Sequence, residues 1–216
     1  MELAVMMLRL LEGLKVSAAI FAVTLVFSLP LGLFVSYGRM SKNPLIRNLV
    51  KFYISVMRGT PLMLQLMVVY FGPFYLFRIP IGGGYRLWAA FIAFVINYAA
   101  YFGEIFRGGI QSMPAGQYEA AKLLGYTRPQ AFRKIILPQV IKQILPSVTN
   151  EVITLVKDTS LAYTIAVTEM FSMAKEIAAR ETSLAAFFAA GLFYYIFNAL
   201  VAAAMEYAEK RLSYYK

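Results

Sequence analysis

Neither cysteine nor histidine occurs in the 216 residues of this chain. Their absence excludes disulfides, thiolate nucleophiles, histidine-based zinc sites and Ser-His-Asp hydrolysis. It says nothing of the redox compartment. Charge is also scarce, at 15% of residues, with 11 acidic side chains against 21 basic ones. Three consecutive glycines, Gly82, Gly83 and Gly84, are not followed by Gly-Lys-Ser/Thr, so they read as a flexible turn and not as a phosphate loop.

What the chain has in abundance is apolar sequence. Hydrophobic residues make up 60% and mean hydropathy is +0.64, the balance of a membrane protein. The formal charge of +10 would also suit a nucleic-acid binder. Here the positive residues flank apolar runs, so membrane topology accounts for them and no nucleic acid is expected as a partner.

The expected fold is an all-α integral membrane protein with five transmembrane helices, at roughly 16–37, 52–77, 87–106, 137–156 and 184–205. The first run is too long for a signal-peptide core and is expected to be retained. Residues 3–14 read as an amphipathic lead-in, with Glu2, Arg9, Glu12 and Lys15 balancing in charge. Pro30 and Gly32 are expected to kink the first span and Pro146 to interrupt the fourth. Residues 162–181 carry too much charge for a span and read as a short helix near the surface, while 206–216 form a charged tail. Counting basic residues by side sets twelve, in loop 39–51, at Arg107 just past the third span, in loop 112–138 and in the tail, against seven. That excess places loop 112–138 in the cytoplasm, the N-terminus outside and the C-terminus inside.

Loop 112–138 is the longest interruption between apolar runs, and Glu119 alone opposes Lys122, Arg128, Arg133 and Lys134. Ser112 is expected to cap a helix with Pro114 in its first turn. Gly125 then supplies a left-handed stop, and Thr127-Arg128-Pro129 starts the next helix. The order Glu119-Ala120-Ala121, Gly125, Ile135, Leu137-Pro138 resembles the EAA signature of permease subunits in ATP-binding cassette importers. Arg58-Gly59-Thr60-Pro61 and Lys157-Asp158-Thr159-Ser160-Leu161 resemble the branch that handles polar and charged amino acids.

The resemblance implies a single permease domain over 1–216 in a bacterial cytoplasmic membrane. It implies a coupling helix whose Tyr118, Glu119, Ala120, Ala121 and Gly125 serve a separate ATPase subunit. ATP and magnesium would sit on that partner, leaving this chain without a cofactor, without enzymatic activity and without catalytic residues or a metal. A second permease subunit, as a homodimer, and an external solute-binding protein complete the implied assembly.

A substrate site is read from the residues themselves. Asn97, Tyr101 and Glu104 share one helical face, as do Ser147, Glu151, Thr154 and Asp158, with Asn150 beside them. Intramembrane ionisable groups turn toward a cavity. Gln65 lies at similar depth, with Thr60 nearer the cytoplasm. Glu104, Glu151 and Asp158 form an acidic stripe opposed only by Arg58 and Lys157, which favours a cationic side chain such as arginine, lysine or histidinium. Thr60, Ser160 or backbone freed where the fourth helix unwinds would meet the α-carboxylate. Arg58 and Glu104 would neutralise each other or touch the solute. The plainer reading is that these groups bond helices together at ~0.6–2 kcal/mol each. Uptake of glutamine- or glutamate-type amino acids is the alternative substrate class. A secondary transporter would show internal repeats, which the halves lack, and a membrane enzyme would have only Ser160 with Lys157 to work with.

Overall fold

Small residues set how the longest helix packs. The computed structural model describes residues 3–212, which form helices and short connections with no strand among the described residues. Helix α1 (Leu3–Arg39) is unbroken, with Pro30 inside it. At 1.5 Å per residue it is about 55 Å long, more than a bilayer core needs, so the lead-in is simply its first turns. Its buried positions, among them Gly13, Ser17, Thr24, Ser28, Gly32 and Ser36, recur every third or fourth residue. Gly32 lies against α4 (Tyr85–Gln111), whereas Gly13 lies against Met170 and Ser17 against Glu169. A Cβ at Gly32 would stand 2.8 Å from Phe102 Cβ, and one at Gly103 would stand 2.5 Å from Val35 Cγ1. Such small residues let membrane helices approach closely.

The expected second span is not one helix. It is α2 (Pro44–Gly59) and α3 (Leu62–Phe77), whose axes meet at 110°. Asn43 starts α2, its Oδ1 accepting the Leu45 N–H at 2.9 Å, with proline in the first turn. Thr60-Pro61 ends it, because proline has no N–H and its predecessor disfavours helix.

The fourth run also departs from expectation. After α5 (Ala115–Leu123) and one turn of α6 (Arg128–Ala131), a π-helical turn at Phe132–Ile136 leads into α7 (Leu137–Asp158). Pro146 lies inside α7 without interrupting it, and the helix does not unwind until a 3-10 segment at Thr159–Ile165. Three helices, α1, α4 and α9 (Ala185–Leu212), are long and apolar enough to cross a membrane, or four if the bent α2–α3 pair counts as one span. Helix α7, with Gln139, Lys142, Gln143, Asn150 and Glu151 along it, is less apolar and is not among them.

Two apolar clusters hold the bundle. Phe94, Tyr98, Phe102, Ile20, Leu66 and Leu155 form the larger one. Met6, Leu10, Met170, Ile177 and Ala186 form the other, which fixes α8 (Met170–Glu181) against α1 and α9. The segment expected near the surface is therefore partly core. Glu169, in the turn before α8, is fully buried. Of the expected charged tail, residues to Leu212 continue α9; Lys216 and Glu2 lie outside the described residues.

Candidate functional site

The break between α2 and α3 collects three of the residues expected to bind substrate. Gln65 Nε2 donates into a cluster of acceptors: Met57 O at 3.0 Å, Thr60 O at 3.1 Å and Thr60 Oγ1 at 2.9 Å. Asn97 Nδ2, reaching from α4, donates to Met57 O at 3.1 Å and to Gln65 Oε1 at 2.9 Å. The Thr60 hydroxyl donates to Val56 O at 2.8 Å. These polar atoms are occupied by one another and by backbone.

A second group lies where α4 meets the end of α7. Tyr98 is buried, and its hydroxyl donates to Asp158 Oδ2 at 2.8 Å. Tyr101, one turn along, packs on Tyr98 with ring centroids 6.1 Å apart. The Arg58 guanidinium stands 5.2 Å from the Tyr101 ring centre. Half-buried Glu151 feels both Arg58 and Asp158. Two tyrosines, two carboxylates and one guanidinium are thus gathered from α2, α4 and α7. Tyr98 escaped the sequence reading because it sits one position off the Asn97–Tyr101–Glu104 face. Its aromatic ring read as core, which it also is.

Other expected site residues fall elsewhere. Ser147, Asn150 and Thr154 are exposed on α7, with Ser147 lining a cavity of about 270 Å³ beside Glu104 of α4. The Ser160 hydroxyl is spent on Lys157 O at 2.8 Å. Glu104 leaves the acidic stripe: Arg107 binds its carboxylate at 2.6 Å through Nη2 and at 3.0 and 3.1 Å through Nε, and Arg39 stands 3.8 Å away. Arg58 is engaged with Tyr101 and makes no ion pair with Glu104, so the expected neutralising partner is corrected to Arg107. The error has a simple source. Arg107 is three residues along the same helix, an i,i+3 neighbour, and lies just beyond the span expected to end at 106.

A cavity of about 670 Å³ lies apart from the acidic group, between the π-helical turn and the start of α7. Met113, Lys134, Gln139 and Lys142 are among its lining residues, and no carboxylate is. Among the described residues no cluster of acidic side chains could hold a metal ion.

In loop 112–138 the left-handed stop is present. Gly125 has φ of +79°; its N–H donates to Lys122 O and the Tyr126 N–H to Ala121 O, both at 3.0 Å. That paired bonding closes α5. Thr127 starts the next helix, with its N–H donating to Gln130 Oε1 at 2.9 Å. Ser112 serves α4 and not α5, its N–H donating to Gly108 O at 2.9 Å and its hydroxyl to Gly109 O at 2.8 Å. Pro114 precedes α5 instead of lying in its first turn. Tyr118, Glu119 and Ala120 are exposed while Ala121 is buried. Leu123 and Leu124 are 89% and 75% exposed, an apolar pair at the end of α5 that the sequence reading did not single out.

Long apolar helices, a broken span and a short exposed helix following one of them define a multi-pass membrane protein. Residues 28–214 match the family described as binding-protein-dependent transport system inner membrane component, and the chain belongs to that family. It is 41% identical over 192 residues to the octopine transport system permease protein of Rhizobium radiobacter, covering 82% of this chain and 76% of that one. It is 36% identical over 204 residues to the arginine transport system permease protein of Bacillus subtilis, covering 94% and 92%. A solved structure titled as an amino acid ABC transporter with histidines superposes with a TM-score of 0.84 at 30% identity, covering 94% of each chain.

Proposed function

We propose that this chain is the permease subunit of an ATP-driven importer and that its solute is an amino acid with a cationic side chain. The observation that carries the substrate class is the pairing of half-buried Glu151 with Asp158 beside Tyr98 and Tyr101. With Glu104 neutralised by Arg107, these two carboxylates are the acidic groups left to receive a guanidinium, ammonium or imidazolium. Arg58, over Tyr101, is placed to meet the α-carboxylate. An arginine permease and a transporter structure with histidines among the similar proteins support the same class.

In this reading α5 is the coupling helix. Its exposed Tyr118, Glu119, Leu123 and Leu124 would dock on the ATPase, which holds ATP and magnesium. The bundle crosses the membrane five times, counting α2–α3 as one crossing and α7 as another, because a charged helix crosses when its polar face looks into a pathway. The N-terminus lies outside, two copies pair, and a solute-binding protein delivers the ligand.

The test is ATP turnover by the complex reconstituted with its ATPase and binding protein, challenged with arginine, lysine, histidine, glutamine and glutamate. Stimulation by the basic amino acids is expected, and Glu151→Gln or Asp158→Asn should weaken it with assembly intact. Preference for glutamate would overturn the substrate class. Failure of any ATPase subunit to co-purify would overturn the importer assignment.

A further inference from the structure

Pro61 leaves the carbonyl of Met57 without its helical donor. In a continuous α-helix that oxygen would accept the N–H of residue 61, four positions on, and proline has none. Two side-chain amides stand in its place, Gln65 Nε2 at 3.0 Å and Asn97 Nδ2 at 3.1 Å. They come from opposite directions, Gln65 from beyond the break and Asn97 from α4. The bond between them, 2.9 Å long, makes the pair a single unit. The neighbouring groups are equally accounted for: the Thr60 N–H and hydroxyl both go to Val56 O, and Thr60 O takes Gln65. Asn97 is only 4% exposed and Met57 is half-buried, so water is a poor substitute for the amide, and a carbonyl shielded from water without a donor is costly.

We propose that Gln65 and Asn97 are positioning residues: an amide clasp that replaces the proline's missing N–H and sets the 110° angle between α2 and α3, with no contact to the solute. The clasp has a functional reach. Arg58 follows Met57 directly, and its guanidinium meets Tyr101, one turn from Asn97 on the same helix. Holding Met57 against α4 therefore holds Arg58 against Tyr101, beside the carboxylates of Asp158 and Glu151. Angle and charge placement are fixed by one polar contact.

The absence of native cysteine makes the test direct. Phe52→Cys on α2 and Val68→Cys on α3 replace exposed residues, 69% and 66% accessible, and a spin-label pair there reports the angle in the whole complex in lipid nanodiscs. Asn97→Leu and Gln65→Met are each expected to broaden and shift the distance distribution. In a Pro61→Ala background the backbone supplies its own N–H, so adding Asn97→Leu should change nothing further; that rescue separates clasping from general packing. Gln65 is only half-buried, so its variant keeps the test open if Asn97→Leu does not fold. Transport by Gln65→Met should slow for every accepted amino acid alike. An unchanged distance distribution, an Asn97→Leu effect undiminished by Pro61→Ala, or a change in which amino acid is preferred would each overturn the clasp.

Discussion

Tyr98 and Asp158, sixty positions apart, are joined by a hydroxyl-to-carboxylate hydrogen bond of 2.8 Å. It ties the middle of α4 to the last residue of α7, next to the carboxylate of Glu151. Tyr98→Phe would preserve the ring's stacking on Phe94, at 6.5 Å, and remove only the donor. A buried hydrogen bond to a charged group is worth ~1.5–3 kcal/mol, so the thermal midpoint of the purified complex should fall. Asp158→Asn should lower it less, because the amide oxygen still accepts. Equal midpoints for wild type and Tyr98→Phe would show that the bond does not support the bundle.

The Glu104–Arg107 pair calls for a charge swap. Both side chains are partly exposed, at 17% and 26%, so breaking the pair should lower stability by about 1 kcal/mol or less. Arg107→Glu and Glu104→Arg should each reduce expression, and the double variant should recover it. Combining Glu104→Arg with Arg58→Glu should not. Recovery by the second combination would restore Arg58 as the partner.

Gly125 separates backbone from packing. Nothing lies within 4 Å of a Cβ built there, yet φ is +79°. The whole penalty for another residue is then conformational, ~1–2 kcal/mol. Gly125→Val should impair assembly with an ATPase or coupled hydrolysis, whereas Gly125→Asn, which tolerates this backbone, should retain most of both. Equal coupling by the two variants would remove α5's ending from the mechanism.

Gly109 is the opposite case. A Cβ there would stand 2.1 Å from Ile144 Cγ2 and 3.2 Å from Val140 Cγ1. Gly109→Ala should force α4 and α7 apart and destabilise by about 1–3 kcal/mol, with Ile144→Ala restoring part of the loss. Gly108→Ala, with open space at its Cβ, should be neutral or mildly stabilising. Thermal unfolding of the three variants reads the difference.

Glu169 carries a pH dependence. It receives the N–H of Phe171 and of Ser172, each at 2.7 Å, and the hydroxyls of Tyr194 at 3.1 Å and Ser17 at 3.4 Å. Burial nevertheless pushes its carboxyl above the ordinary glutamate range, and these donors only partly offset it. A carboxyl raised in the folded state contributes its full stability below the unfolded value and loses it as pH rises through the folded one. The thermal midpoint should therefore decline across that window, and Glu169→Gln should flatten the slope. A slope unchanged by the substitution would assign it to another group.

The sequence alone was enough for much of what is local, though not for Ser112, which closes α4 instead of opening α5. Apolar runs fall on α1, α4 and α9, because about twenty apolar residues have few other uses. Gly125 takes the left-handed conformation, and Thr127 opens a helix three residues before Gln130, since caps and stops are settled by near neighbours. Tertiary structure alone decided what depends on direction and partnership. Hydropathy is blind to angle, so 52–77 read as one span although Gly59-Thr60-Pro61 marked the place where it turns. A periodic stripe places residues on a face without naming what the face meets. Asn97 was therefore legible as an inward polar residue and not as the donor for Met57. Glu104 and Asp158 looked alike in sequence. Arg107 neutralises the first from one turn along the same helix, whereas Tyr98 binds the second across a contact that exists only once α4 and α7 are packed together.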